Sequence, residues 1–191
     1  MKRKFTTPAG VRNGDVFFFK GTAWYSRAIR YHTQSIYSHV GIAYQLPVNG
    51  RRLCIFESCV NSGVRLYPMD VYLRDCARGK VDIDWYRLDD GQVCRDRMAE
   101  LCWDAWAKTK YASYVQLSWS FGVLSWARRL LGMKADLEGG KFCSFVAAEI
   151  LQGAGYKPNA HDVSDPALTS PGDVSRYTCL RNMGPLECVM H

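Results

Sequence analysis

The stretch KFCSFVAAEIL, residues 141–151, decides how the rest of the chain is read. It places Cys143 at the mouth of an apolar run that follows Gly139-Gly140 and closes near Gly153 or Gly155, good C-terminal helix caps. The run predicts a helix beginning at about Phe142, with Cys143 in its first turn. Two readings of that cysteine stand side by side. In one it is a small core residue beside Phe142 and Val146, since free cysteine is among the most buried residue types. In the other it is a nucleophile. The unpaired N–H groups and positive dipole end of a helix's first turn lower a thiol's pKa, and the same amides can hold an acyl-transfer oxyanion.

A nucleophilic thiol needs a base. The chain has four histidines, His32, His39, His161 and His191. His191 is the last residue, His161 sits in a polar loop, and His32 lies in the basic segment 28–34. His39 differs, because it opens SHVGIAYQL (38–46), a predicted strand closed by Pro47-Val48-Asn49-Gly50. A strand-end histidine has a fixed backbone and can be aimed, although a half-buried structural histidine is the competing reading. A catalytic imidazole also needs a group on its other nitrogen. Glu57, in the predicted strand RLCIFES (52–58), is the candidate, since the turn pairs that strand with the His39 strand. An ordinary exposed carboxylate is the alternative, and the loop leaves the register open.

Around these residues the pattern is that of an α+β chain. DVFFF (15–19), after Asn13-Gly14, predicts a buried strand, and Gly63–Tyr67 and VDIDWYRL (81–88) predict two more. From about Gln92 to Lys110 the apolar residues Met98, Leu101, Cys102, Ala105 and Trp106 fall on one helical face. A second helical stretch runs from about Leu117 to Leu131, and the tail from Lys157 is turn-rich. The chain is read as one domain, 1–191, with a helical elaboration at about 112–135.

The 191 residues carry a net charge of +7 with 48% hydrophobic content, a globular balance that favours an anionic partner. The basic residues are scattered, which argues against a dedicated nucleic-acid role. None of the eight cysteines forms a CxxC pair, so the usual zinc spacing is absent, and reduced thiols are expected rather than a disulfide framework. No secretory leader and no apolar run long enough to span a membrane is recognised, so synthesis in a cytosol is expected.

Taken in order, Asn13-Gly14-Asp15-Val16, Ser38-His39-Val40-Gly41-Ile42, Phe56-Glu57-Ser58 and Phe142-Cys143-Ser144-Phe145-Val146 resemble the circularly permuted NlpC/P60 group. This is the papain-like branch with the YiiX/YebB-like amidases and, more distantly, the lecithin:retinol acyltransferase-like proteins. In that group the histidine strand precedes the cysteine helix, as here. The resemblance covers about residues 12–176. It implies a papain-like antiparallel sheet packed on helices, with Cys143 as nucleophile, His39 as general base and acid, and Glu57 as the group orienting the imidazole.

The resemblance also implies Tyr111 as the site-lining tyrosine and Ser170-Pro171-Gly172-Asp173 as the closing segment; Tyr111, Ser38 and Ser144 are the expected substrate-binding residues. It implies no cofactor and no metal. The expected substrate is a peptide, a peptidoglycan fragment or a lipid, with cell-wall peptide the favoured class. The chain departs from the family at Phe145, where an acidic residue often follows Cys-Ser. Two other functions compete: lipid acyl transfer or thioester hydrolysis, with the Trp119/Trp126 stripe and Arg128-Arg129 on an anionic membrane, and a non-catalytic binding module of the same fold.

Overall fold

A computed structural model describes residues 10–46, 52–59, 62–108 and 142–186. In chain order these form β1 (Val16–Gly21), α1 (Trp24–Thr33), β2 (His39–Leu46), β3 (Arg52–Cys59), β4 (Gly63–Pro68), α2 (Met69–Ala77) and β5 (Val81–Leu88). There follow α3 (Arg95–Lys108), α4 (Cys143–Gly153), a 3-10 turn (Pro166–Leu168), α5 (Pro171–Val174) and β6 (Leu180–Pro185). The strands make one antiparallel sheet in the order β4-β3-β2-β1-β5-β6.

The VFFF run sits at the centre of this sheet because it can be buried on both faces. Val16 and Phe18 face α3 and α4, packing with Val40, Ile42, Met98, Val146 and Leu151. Phe17 and Phe19 face α2, packing with Ile55, Ile83, Met69 and Leu73. A strand covered on both sides reads as a continuous apolar run rather than an alternating one. Each buried phenylalanine contributes about 1.5–3 kcal/mol of transfer free energy.

Asp15 pins the start of β1. Its buried carboxylate accepts from Arg95 at 3.0 Å, from Arg87 Nε and Trp85 Nε1 at 3.1 Å each, and from the Leu88 amide at 3.3 Å. One carboxylate thus ties β1 to β5 and α3. Gly14, at φ +84°, makes the turn that delivers it.

Three of the longer elements were not expected from the sequence. Residues 24–33 fold into α1 rather than an open basic segment. α2 forms directly after the Tyr67-Pro68 end of β4. β6 forms in the turn-rich tail, where Gly184 and Pro185 obscure any period-two pattern. Each is specified by its docking on the sheet more than by local signal. The predicted helix at 117–131, with its tryptophan stripe and Arg128-Arg129, lies outside the described residues, as does the elaboration at 112–135. Among the described residues six cysteines are free, and Cys76 is disulfide-bonded, against the expectation of reduced thiols throughout. Such a bond depends on the close approach of two Cα atoms, which sequence spacing does not reveal. Among the described residues no helix is long and apolar enough to cross a membrane.

Candidate active site

Helix α4 packs against β2 and β3 and brings its first residue, Cys143, to the N-terminal end of β2. The residue before it, Phe142, has extended backbone and supplies no side-chain cap. Its side chain therefore takes none of the first-turn amides. The backbone amides of Ser144 and Val40 hydrogen-bond to the Cys143 sulfur, and the His39 ring hydrogen-bonds to it as well.

His39 is held from the other side by Glu57, with Nε2 2.7 Å from Oε2. The register explains how they meet. Ile42 pairs with Phe56, so the continuation of the two strands sets Gly41 opposite Glu57 and His39 opposite Cys59. Glu57 reaches diagonally across Gly41 to the ring. A Cβ at Gly41 would come within 2.3 Å of Ile55 Cγ2 and 3.5 Å of Glu57 Cβ, so only glycine fits this crossing. The Cys59 sulfur lies 4.0 Å from His39 Nε2, and the Phe19 ring packs 5.2 Å from the imidazole, which restrains its orientation.

Glu57 is fully buried and has three donors. Tyr72 on α2 donates to Oε2 at 2.5 Å, and Arg65 on β4, its cross-strand partner, donates Nε to Oε1 at 2.9 Å. Burial alone would raise its pKa. The hydrogen bond and charge of His39, the Tyr72 hydroxyl and the Arg65 guanidinium outweigh that and lower it to about 2. An ionised carboxylate only accepts hydrogen bonds, so His39 Nε2 carries the proton and donates. Nδ1 is thereby left as the ring nitrogen available to the thiol.

Cys143 and His39 shift in opposite directions. Burial pushes the Cys143 thiol up, but the charge and hydrogen bond of His39, with the Val40 and Ser144 amides, bring it net down. Burial pushes His39 down, and the sulfurs of Cys143 and Cys59 carry it net well above the usual imidazole range. This is the signature of a thiolate beside an imidazolium. The remaining buried cysteines behave otherwise: Cys102 and Cys179 are each pushed up to about 12, mainly by burial.

Cys143 and His39 open into a cavity of about 560 Å³, with Tyr25, Tyr67 and Tyr72 among its walls. Ser38 and Ser144 also line it, but their hydroxyls are engaged internally. Ser38 Oγ donates to the Phe19 carbonyl and accepts from the Gly21 amide, each at 3.1 Å. Ser144 Oγ donates to the Thr169 carbonyl at 2.6 Å and fastens α4 to the segment before α5. Tyr111 lies outside the described residues. Arg65, Tyr72 and Cys59 escaped sequence reading. Arg65 had one usable signal, its place opposite Glu57 once the β3–β4 turn is recognised. Tyr72 had none without α2.

No family model matches this chain, and no curated protein matches it. Among solved structures it is similar to the crystal structure of the metalloprotein YiiX from Escherichia coli O157:H7, described as DUF1105, at 18% identity and a TM-score of 0.57. The match covers 92% of this chain and 97% of that one. The fold is YiiX-like.

The description of YiiX as a metalloprotein makes the donor atoms here worth weighing. Among the described residues His39, Glu57 and Cys59 bring one ligand atom each to within 4.8 Å of one another. They do not fit a cation well. Glu57 Oε2 already accepts from His39 and Tyr72, and Oε1 is bound by the guanidinium of Arg65. A metal ion would have to displace those donors and sit beside a fixed positive charge.

Proposed function

We propose that the protein is a cysteine hydrolase that cleaves an amide or related acyl bond through Cys143, His39 and Glu57. The observation that carries this reading is the single imidazole held between a thiol at a helix start and a buried, ionised glutamate. The Cys143 thiolate attacks the acyl carbon, forming the C–S bond as the carbonyl π electrons move to oxygen. First-turn amides of α4 stabilise that oxyanion. The imidazolium gives its proton to the leaving nitrogen as the C–N bond breaks, leaving a thioester. His39 then takes a proton from water, the hydroxide adds to the thioester, and the thiolate leaves with the acid product. Glu57 keeps Nε2 protonated and the ring aimed throughout.

Cell-wall peptide is the favoured substrate class, on the resemblance of the His39 and Cys143 blocks to the permuted NlpC/P60 group. A lipid acyl bond is the second reading, favoured by exposed aromatic residues on α1 beside the cavity. Incubation with muropeptides and with acylated lipids, followed by intact-mass analysis, tests both. Amide cleavage that disappears in Cys143→Ala supports the first. Turnover of lipid alone shifts the assignment to the second. If neither substrate is turned over and Cys143 reacts with iodoacetamide no faster than buried Cys102, the protein is a binding module.

A further inference from the structure

Helix α1 carries its aromatic residues outward. Ser26 is its buried residue, whereas Trp24 is 78% exposed and Tyr31 is 81% exposed. These two are seven positions apart and therefore share one face, two turns from each other. Tyr25 is also exposed, and Ile36, just past the helix end, is 60% exposed. A surface helix ordinarily turns its apolar stripe toward the core. Here a hydroxyl faces in and two large rings face out.

The charged residues that α1 itself carries have one sign. Arg27 lies between Trp24 and Tyr31 on the helix surface, and from Val16 to Phe56 the chain contains no aspartate or glutamate. Neither Arg27 nor Arg30 forms an ion pair with another described residue. The surface adjoins the candidate site, since Thr22, Ala23, Tyr25, Ser26 and Ile29 form a wall of the Cys143 cavity. Outward tryptophan and tyrosine flanked by arginine, on a helix without carboxylates of its own, match the chemistry of the boundary between lipid headgroups and acyl chains.

We infer that α1 docks on an anionic phospholipid bilayer, with Trp24, Tyr31 and Ile36 in the headgroup–acyl boundary and Arg27 against lipid phosphates. The Cys143 cavity then opens at the membrane surface. The inference deepens the second reading of the proposed hydrolase, the lipid acyl bond, by naming where that substrate is presented, on an amphiphile in a bilayer. It rests on that reading for the chemistry only; the docking stands apart from it.

Flotation of the full chain with vesicles of phosphatidylcholine, with and without phosphatidylserine, tests the docking. The wild type and Cys143→Ser are expected to float with the anionic vesicles and not with the neutral ones. Raising NaCl from about 0.1 M to about 1 M, which shortens the screening length from about 10 Å to about 3 Å, should release most of the bound protein. Trp24→Ala/Tyr31→Ala should lose at least about tenfold in partitioning, as should Arg27→Glu. Circular dichroism and Cys143 labelling that match wild type show that the variants are folded. No flotation of the wild type, or equal flotation of the folded double variant, overturns the inference. So does binding to isolated wall polymer in place of vesicles. Failure of Cys143 to react would sink the hydrolase and leave the vesicle result standing.

Discussion

His39 and Glu57 lie eighteen positions apart in sequence, yet Nε2 and Oε2 are separated by 2.7 Å across two neighbouring strands. The contact crosses the bare backbone of Gly41, and Tyr72 and Arg65 hold the carboxylate in place from α2 and β4. The imidazole is thus oriented by an assembly of three strands and a helix before any substrate arrives. That assembly makes the reactivity of Cys143 a readout of distant residues.

Cys143 is expected to be alkylated by iodoacetamide at pH values well below those where an ordinary thiol reacts, because its pKa is lowered mainly by the charge and hydrogen bond of His39 against the effect of burial. Peptide mapping after brief labelling at neutral pH should find Cys143 modified at least about tenfold faster than Cys102 or Cys179. In His39→Ala the midpoint of the pH–rate curve should move upward. The sign follows from the pair: the thiolate form persists above the lowered thiol pKa, and the imidazolium beside it is lost as pH rises through the raised pKa of His39. An unchanged curve would remove His39 from the mechanism.

Glu57→Gln should flatten the acid limb of stability. Glu57 falls from 4.5 to about 2 on folding, so its contribution is present above pH 4.5 and is lost as pH falls toward about 2. Over that window the wild type should lose on the order of 3 kcal/mol that the glutamine variant never had. Urea midpoints measured between neutral pH and pH 2 check this. The two curves should converge in acid, and parallel curves would contradict the buried ionised pair.

Gly41→Ala places a methyl 2.3 Å from Ile55 Cγ2 in the crossing between β2 and β3. Overpacking of this kind costs about 1–3 kcal/mol, and here it also pushes apart the strands that carry His39 and Glu57. Cys143 labelling should slow along with the loss in thermal stability. A variant that loses stability and keeps wild-type labelling would show that the crossing does not position the ring.

Asp15→Asn leaves Arg87 and Arg95 without their shared buried carboxylate. Breaking such a pair costs about 3–5 kcal/mol, so a large drop in the urea midpoint is expected. Because Asp15 lies outside the Cys143 cavity, the labelling rate of the folded fraction should not change. Loss of labelling in the folded state would assign Asp15 to the site.

Local pattern determined much of this protein. Continuous apolar character marked β1, alternation marked β5 over its full length, and the glycine-bounded apolar run marked the helix that begins at Cys143. The same signals singled out His39 and Glu57, since a strand-opening histidine and a carboxylate beside Ile55-Phe56 are local features. Tertiary structure decided what those residues meet. The diagonal contact over Gly41 depends on the β2–β3 register, which a turn of unread geometry leaves open. Arg65 and Tyr72 join Glu57 only because β4 and α2 pack where they do, and α2 carries little signal apart from that packing. The outward aromatics of α1 were likewise hidden, because a helical wheel gives the angle between side chains and the sheet alone decides which side faces water.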